Sequence, residues 1–324
     1  MWAEIVASFV ALPVSYFATR LLVGYLRNRS MEVPDAHKEG RPMVPRTGGP
    51  ALLVSLGVAG GAIFLLSGDL RAITIVLVAF IAGLIGLLDD LGILGGRAKV
   101  VLLFLAALPI LLLGTYDSHP VLPFMGALRL TIIYPVLVFV SMPVTGNAFN
   151  MIDVYNGLVT GFSALASTPL LVAFVITGDW VMVAVTLAYI FTLAGFFVFH
   201  RNPSKIFPGD CGSLAMGAAY CAIVITGSME IVGIVALIPA VLNSFFVLSS
   251  VKGFIEHRNM KKRPVKLRDD YLLEASNEGD APMTLSRMVL AGGPLKEREI
   301  VSTIFILEAV SVALALTTFA LMRW

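Results

Sequence analysis

Long apolar runs separated by short polar segments dominate the chain. Each run has about 20 residues, the length that a helix needs to cross the hydrocarbon core of a bilayer. Inside lipid, each backbone amide has to be hydrogen-bonded within its own segment, which favours helices. The pattern therefore predicts an all-α, polytopic membrane protein of about ten transmembrane helices, near 4–26, 50–67, 72–89, 98–115, 129–147, 158–177, 180–199, 212–228, 231–250 and 300–322.

Positive charges lie on alternate loops between these runs. Because cytoplasmic loops carry the excess of lysine and arginine, the charges predict the orientation. With ten crossings, both termini are expected outside and the polar motifs face the cytoplasm. The basic segments are 27–49, 90–99, 200–211 and 251–299, and the few basic residues at the opposite ends are Arg71, Arg129 and Arg323.

Composition supports the membrane location and narrows the classes of function. Hydrophobic residues make up 58% and charged residues 14% of the 324 positions, against about 45–50% and about 25% in soluble domains. The net charge of +2 gives no indication of nucleic-acid binding. Cys211 and Cys221 fit no disulfide or zinc spacing. The first run lacks a basic flank before it and a small-residue cleavage site after it, so a retained helix is expected rather than a signal peptide.

The position of the polar residues separates two kinds of membrane protein. A transporter needs ionisable groups part-way through its spans, whereas here the spans are nearly free of charge. Aspartate, asparagine and lysine gather at the predicted cytoplasmic helix ends. There a water-soluble substrate could meet a lipid-borne one, which favours an enzyme at the membrane interface, with a transporter as the alternative.

The first motif is "GLIGLLDDLGILGGRAK", residues 83–99. Asp89 and Asp90 end an apolar run, where the helix dipole is already negative and the two carboxylates repel each other. The arrangement becomes favourable if a cation or a basic group lies opposite, or if one carboxylate keeps a raised pKa and accepts a proton. The alternative is that the pair simply ends a helix at the interface.

The second motif is "GNAFNMIDVYNGL", residues 146–158. Asn147, Asn150, Asp153 and Asn156 recur every three residues, which places them on one face if the stretch is helical. Such a face is expected to line a polar cavity, since amides are costly beside lipid. Amide and carboxylate oxygens suit Mg²⁺, and amides also suit the edge of a nucleobase. The alternative is that the asparagines hydrogen-bond neighbouring helices.

The third motif is "NPSKIFPGDCGSL", residues 202–214, a run of turn residues that opens a helix. Gly209 permits close approach of backbone to a ligand, and Asp210 near a helix N-terminus could act simply as a cap. Together with the asparagines and the aspartate pair, Asp210 indicates a site for a diphosphate and Mg²⁺.

Taken in this order, the three motifs resemble those of the polyprenyl-phosphate N-acetylhexosamine-1-phosphate transferases. That superfamily includes the bacterial phospho-MurNAc-pentapeptide translocase and the eukaryotic dolichyl-phosphate GlcNAc-1-phosphate transferase, and the resemblance covers essentially the whole chain. "APMTLSRMVLAGGPLKERE" (281–299) and the asparagine of "YNGL" are similar to the dolichyl-phosphate branch. Asp153 and "EHRNMKKRPVK" (256–266) depart from that branch, and the mixed pattern is interpreted as an archaeal-type member.

The resemblance implies a role for each matching residue. Asn150 and Asp210 would hold Mg²⁺, with Mn²⁺ as an alternative ion, and Asn156 would read the uracil. Asp89 and Asp90 would serve the lipid phosphate, Asp90 being the expected nearer one. The remaining implied residues are Lys99 at the pyrophosphate, Asn147, Asp153 and Gly157 around the substrate, His257, Arg258 and Arg263 at the sugar or diphosphate, and Arg46 at the lipid phosphate.

The expected protein is a single membrane domain over 1–324 with a cytoplasmic loop near 251–299, in the cell membrane or, in a eukaryote, the ER membrane. Its implied reaction transfers N-acetylhexosamine-1-phosphate from a UDP-sugar to a polyprenyl or dolichyl phosphate and releases UMP. Among the N-acetylhexosamine-1-phosphates, GlcNAc-1-phosphate is the expected group. The expected partners are these two substrates and membrane lipid, without nucleic acid, and a homodimer is left open. A transporter or flippase of lipid-linked sugars is the alternative.

Overall fold

The computed structural model describes residues 2–250, 263–279 and 281–323. Its helices are α1 (Trp2–Phe9), α2 (Ala11–Asn28), α3 (Gly49–Ser67), α4 (Leu70–Asp90), α5 (Gly96–Leu102), α6 (Leu108–Leu113), α7 (Tyr134–Ile152), α8 (Leu158–Thr177), α9 (Trp180–His200), α10 (Gly209–Thr226), α11 (Glu230–Ala236), α12 (Ile238–Ser250), α13 (Leu285–Val289) and α14 (Glu297–Met322). A 3₁₀ segment, Leu103–Ala107, joins α5 to α6, and another, Leu290–Gly292, follows α13.

Short strands occur only as hairpins in the part of the chain that the structure describes. They are β1 (Glu32–Pro34) with β2 (Met43–Pro45), β3 (Val121–Leu122) with β4 (Gly126–Ala127), and β5 (Val265–Leu267) with β6 (Leu273–Ala275), each pair antiparallel. They lie in the loops between helices, so the all-α class predicted from the apolar runs is confirmed.

The number of spans also agrees with the prediction. Over the described residues, nine helical stretches are long and apolar enough to cross a membrane, and α11 with α12 makes a tenth if that bent pair counts as one span. The chain is thus a multi-pass membrane protein. The predicted run 231–250 is not one straight helix, because α11 and α12 meet at 66°. Pro239 in the first turn of α12 lacks an N–H and crowds the preceding turn, which explains the break.

A second difference concerns the run predicted at 129–147. The helix there is α7, which begins and ends five residues later, at Tyr134 and Ile152. Residues before Tyr134 are used instead by the β3–β4 hairpin and its flanks, where the backbone N–H of Leu130 donates to the carbonyl of Ser118. The shift matters because it carries the second motif to the very end of its helix.

All three motifs emerge at the same end of the bundle. Since each span crosses once, the loops 29–48, 91–95, 153–157 and 201–208 lie together with the segment between α12 and α14. We call this the site end. The assignment of the site end to the cytoplasm rests on the charge pattern and stays a prediction.

Helix α10 is the centre of the bundle. Every residue from Cys211 to Thr226 is buried, and α4, α7, α3 and α8 pack around it. Glycines permit this close packing: a Cβ at Gly86 of α4 would overlap the carbonyl oxygen of Asp210, and one at Gly217 would lie 2.8 Å from the carbonyl oxygen of Thr145. Small residues let helix backbones approach in membranes. The aspartate pair at the end of α4 is thereby held against the start of α10.

Glu308 is an exception to the apolar character of the spans. It lies near the middle of α14, is 0% exposed, and neither carboxyl oxygen has a hydrogen-bond partner among the described residues. A buried polar group without a partner loses its hydration and gains nothing in return.

We expect Glu308→Met, which keeps the approximate shape and removes both oxygens, to stabilise the folded protein by about 1–3 kcal/mol. The measurement is the thermal unfolding midpoint in detergent. Glu308→Gln is the matched control, because it keeps two unpaired polar atoms and should leave the midpoint near that of the parent. A lower midpoint for Glu308→Met would show that the carboxyl group has a partner.

Candidate active site

A large cavity opens at the site end of the bundle. Its volume is about 1030 Å³, and it lies between the first loop, the ends of α4 and α7, and the starts of α5 and α10. Among its lining residues are ten of the residues singled out in the sequence, namely Arg46, Asp89, Lys99, Asn147, Asn150, Asp153, Asn156, Gly209, Asp210 and Arg263. Asp90 and Gly157 are not part of the lining, and His257 and Arg258 lie outside the described residues.

The three motifs meet in one charged cluster on the cavity wall. Lys99 forms ion pairs with Asp210 and with Asp89, the latter at 3.2 Å between Nζ and Oδ2. Asn150 donates from Nδ2 to Asp210 Oδ1 at 3.1 Å and to Ser213 Oγ at 2.8 Å. Lys99, nine residues beyond Asp90 in sequence, is therefore the basic group that lies opposite Asp89.

Asp90 does something different from its neighbour Asp89. Its carboxylate accepts the backbone N–H groups of Asp210 and Cys211, both at 3.1 Å, and its side chain is 0% exposed. These N–H groups lie in the first turn of α10 and have no acceptor within the helix, and the helix dipole there also favours a negative charge. Asp90 therefore caps α10 from another helix, and Asp89 is the member of the pair that faces the cavity.

The turn at Gly209 fits around this cap. Gly209 has φ +67°, and a Cβ there would lie 2.5 Å from Asp90 Oδ2. Arg46 closes the arrangement, with its Nη2 3.1 Å from Asp90 Oδ1 and 3.8 Å from Asp210 Oδ1. Only glycine combines a left-handed φ with room for the carboxylate, so the glycine before Asp210 is needed for the cap as well as for the turn.

The second motif does not form a single helical face. Helix α7 ends at Ile152, and Asp153 follows with ψ 66°, so only Asn147 and Asn150 lie on the helix. The condition for a shared helical face is not met, because the helix stops within the motif, but all four polar residues line the cavity. Asn147 donates to the carbonyl of Pro143 in its own helix at 2.7 Å. Asn150 bonds side chains of α10, which agrees in part with the alternative that these asparagines hydrogen-bond neighbouring helices.

Asn156 lies in the turn between α7 and α8 and is 5% exposed. Its Nδ2 donates to Asp35 Oδ2 at 2.9 Å, and its backbone N–H donates to Glu297 Oε1 at 2.8 Å. Lys38 forms an ion pair with Glu297. The following residue, Gly157, has φ +83° and does not face the cavity; it lets the chain turn into α8.

His200, which was not identified from the sequence, lines the cavity near Asp153. His200 ends α9, lines the cavity, and shares a hydrogen bond of 2.6 Å between its Nδ1 and Thr160 Oγ1. Its Nε2 lies 3.9 Å from Asp153 Oδ1. Burial, together with the negative charges of Asp210 and Asp90, raises the pKa of Asp153 well above its ordinary value.

The cluster has the donors that a magnesium ion requires. Within the described ranges, no group of three His, Cys, Asp or Glu side chains is arranged to hold a metal alone. Mg²⁺ is commonly held by one or two carboxylates and completed by waters and substrate phosphates. Asp210 supplies carboxylate oxygens, and the adjacent Asn150, whose Nδ2 faces Asp210, carries an amide oxygen that rotation of the amide would bring beside them. Asp89, Asp90 and Asp210 outnumber Lys99 and Arg46 by three charges to two. The residues therefore fit the ion.

Comparison with known proteins agrees with this geometry. The model of glycosyl transferase family 4 matches residues 72–228, from α4 to the end of α10. A phospho-N-acetylmuramoyl-pentapeptide-transferase of Lactobacillus delbrueckii subsp. bulgaricus is 34% identical over 260 residues, covering 72% of this chain and 81% of the relative. The chain belongs to glycosyl transferase family 4.

Two archaeal relatives match nearly end to end. A protein of Saccharolobus solfataricus named as a UDP-N-acetylglucosamine–dolichyl-phosphate N-acetylglucosaminephosphotransferase is 26% identical over 318 residues, 93% of this chain and 92% of the relative. One of the same name from Sulfolobus acidocaldarius is 27% identical over 316 residues, 94% and 93% of the two chains. The resemblance to dolichyl-phosphate and bacterial transferases drawn from the motifs is thus confirmed.

The different surroundings of the two aspartates lead to a stability prediction. We expect Asp90→Asn to lower the free energy of unfolding by about 1–2 kcal/mol, because an amide oxygen can cap one N–H of α10 while its NH₂ group opposes the other. Asp89→Asn, at the cavity surface, should cost clearly less. Thermal unfolding of both variants in detergent measures the difference. Equal losses would contradict the capping role of Asp90.

Proposed function

We propose that the protein transfers N-acetylhexosamine-1-phosphate from a UDP-sugar to a polyprenyl or dolichyl phosphate and releases UMP. The observation that carries this proposal is the convergence of Lys99, Asp89, Asn150 and Asp210 on one cavity at the end of a membrane bundle. Ligand pockets of about 300–1,000 Å³ enclose drug-sized molecules, and a cavity of about 1030 Å³ has room for a nucleotide sugar.

The relatives support the same reaction. All three named above are transferases by name, and the two archaeal ones act, by name, with UDP-N-acetylglucosamine and dolichyl phosphate. GlcNAc-1-phosphate is therefore the first group to test. The transporter or flippase alternative has no counterpart among these relatives, and the charged cluster lies at one end of the bundle rather than half-way through it.

The reaction is a displacement at the β-phosphorus of the UDP-sugar. An oxygen of the lipid phosphate forms the new bond, the bond from this phosphorus to the bridging oxygen breaks, and UMP leaves with the electron pair. Positioning and charge neutralisation supply most of the rate of such a transfer. Lys99 neutralises the diphosphate, and Arg46 guides the lipid phosphate towards the cluster.

The carboxylates have separate roles in this scheme. Asp89 faces the cavity and, through its ion pair with Lys99, orients the acceptor phosphate, which is already largely ionised near neutral pH and has little need of a base. Asp90 keeps α10 and hence Asp210 in place. Asp210 and Asn150 would hold Mg²⁺, which when bound supplies positive charge to the diphosphate oxygens; Mn²⁺ accepts the same oxygen ligands.

The nucleotide and the sugar contact the other residues that line the cavity. Asn156 reads the uracil, with Asn147 and Asp153 beside the substrate and Gly157 shaping the turn. Arg263 is the described member of the basic cluster proposed for the sugar or diphosphate; His257 and Arg258 complete that proposal from outside the described residues. The lysine and arginine pattern supports a cytoplasmic site end with both termini outside.

The direct test is release of UMP by the purified protein in detergent. With Mg²⁺ and dolichyl phosphate present, we expect UDP-GlcNAc to give UMP, and omission of the lipid phosphate to stop it. Other UDP-N-acetylhexosamines and an undecaprenyl phosphate acceptor define the sugar and lipid preferences. Absence of UMP from every combination would overturn the proposal.

The metal assignment is tested separately. We expect Asp210→Ala to lower the rate by about 100-fold or more, since it removes a charged group at the reacting diphosphate, and excess EDTA to abolish turnover of the parent. Asp117→Ala, an exposed acid in the loop at the opposite end, is the matched control and should leave the rate unchanged. Full activity of Asp210→Ala, or of the parent in EDTA, would contradict the assignment.

A further inference from the structure

Asn156 is held by two acids from distant parts of the chain. Asp35 comes from the loop after α2 and Glu297 from the first turn of α14, 121 and 141 residues away in sequence. Both acids are nearly buried, Asp35 at 5% and Glu297 at 6% exposure. Their contacts with Asn156 are separate, because Asp35 binds the side-chain amide and Glu297 binds the backbone N–H.

The contact with Asp35 determines which way the amide faces. A carboxylate can only accept hydrogen bonds, and Asn156 Nδ2 is the atom that can donate to it. Turning the amide by 180° would set Asn156 Oδ1 against Asp35 Oδ2, two acceptors with no proton between them. Loss of a hydrogen bond to a charged partner, in a buried setting, disfavours that turned state. Asp35 is itself held by the backbone N–H of His37 at 3.3 Å.

The acceptor atom of the Asn156 side chain, Oδ1, is left for a ligand, whereas Nδ2 uses one of its two hydrogens on Asp35. Within the described part of the chain, Oδ1 accepts no hydrogen bond, and Asn156 lines the cavity. Asn156 therefore offers an acceptor in a fixed position. The two pyrimidines differ at this point: uracil has an N3–H donor, whereas N3 of cytosine is an acceptor.

We propose that Asp35 is a positioning residue that fixes the Asn156 amide with Oδ1 towards the base, so that the site selects uracil over cytosine. This inference rests on the proposed function, because it takes Asn156 as the residue that reads the base. It adds Asp35 of the first loop as the residue that restricts the Asn156 amide to one orientation. Without Asp35 the amide could turn and present its NH₂ group to N3 of cytosine.

Glu297 serves the same turn in a different way. It accepts the backbone N–H of Asn156 and is paired with Lys38, so it fixes where the residue lies without affecting which end of the amide faces the base. Loss of Glu297 should weaken binding of both pyrimidine nucleotides alike. A change in the ratio of UMP to CMP affinity therefore reports the orientation of the Asn156 amide. An equal loss of both affinities reports a loss of support for the turn.

The experiment is an isothermal titration in which UMP or CMP is added to the full-length protein in detergent and the heat of binding is measured by calorimetry. The parent should bind UMP at least about tenfold more tightly than CMP, the size of effect expected for one hydrogen bond made or opposed in a buried site. Asp35→Asn, which can turn with its partner, and Asp35→Ala, which leaves the amide free, should both reduce the ratio to about twofold or less. Thermal unfolding of each variant checks that it is folded.

Two further variants act as controls. Glu297→Ala should weaken UMP and CMP binding by similar factors and keep the ratio of the parent. Glu39→Gln, an exposed acid of the same loop, should change neither affinity.

The outcomes are distinguishable. An unchanged UMP preference in a folded Asp35 variant overturns the inference and leaves the proposed function intact. A parent that binds UMP and CMP equally well also overturns it, even if neither Asp35 variant folds. A parent that binds neither nucleotide overturns the proposed function together with the inference.

Discussion

The capping of α10 by Asp90 is the interaction on which the site depends. A helix that begins in the protein interior exposes N–H groups that need acceptors, and here the acceptor comes from the end of α4. The cap is possible because Gly86 lets the two helices approach and Gly209 leaves room for the carboxylate. Asp89, Lys99 and Asn150 then meet Asp210 at the place where the cap holds it.

Much of the fold could be predicted because a bilayer imposes simple rules. Helix length and apolar character follow directly from the thickness and dryness of the hydrocarbon core, so the spans and their number were readable from the chain. The three motifs were also readable, since each carries polar residues where lipid would exclude them. A basic group opposite the aspartate pair was one of the arrangements that charge repulsion favoured.

Other features depend on contacts between distant residues and gave no local signal. The three-residue spacing of the polar residues is compatible with a helix through Asn156, but the helix ends at Ile152. In the turn that follows, the backbone N–H of Asn156 binds Glu297, more than a hundred residues away. Asp35 and His200 were missed for the same reason. The different positions of Asp89 and Asp90 also gave no local signal, because sequence cannot show which of two adjacent aspartates faces a cavity and which faces a helix end.

The two sides of the Lys99–Asp210 ion pair are supported very differently. Asp210 begins the most buried helix of the bundle, whereas α5, which carries Lys99, has no buried residue and changes to a 3₁₀ segment after Leu102. The ion pair therefore joins a helix enclosed by its neighbours to a helix at the outside of the bundle, and packing fixes the position of Asp210 more firmly than that of Lys99.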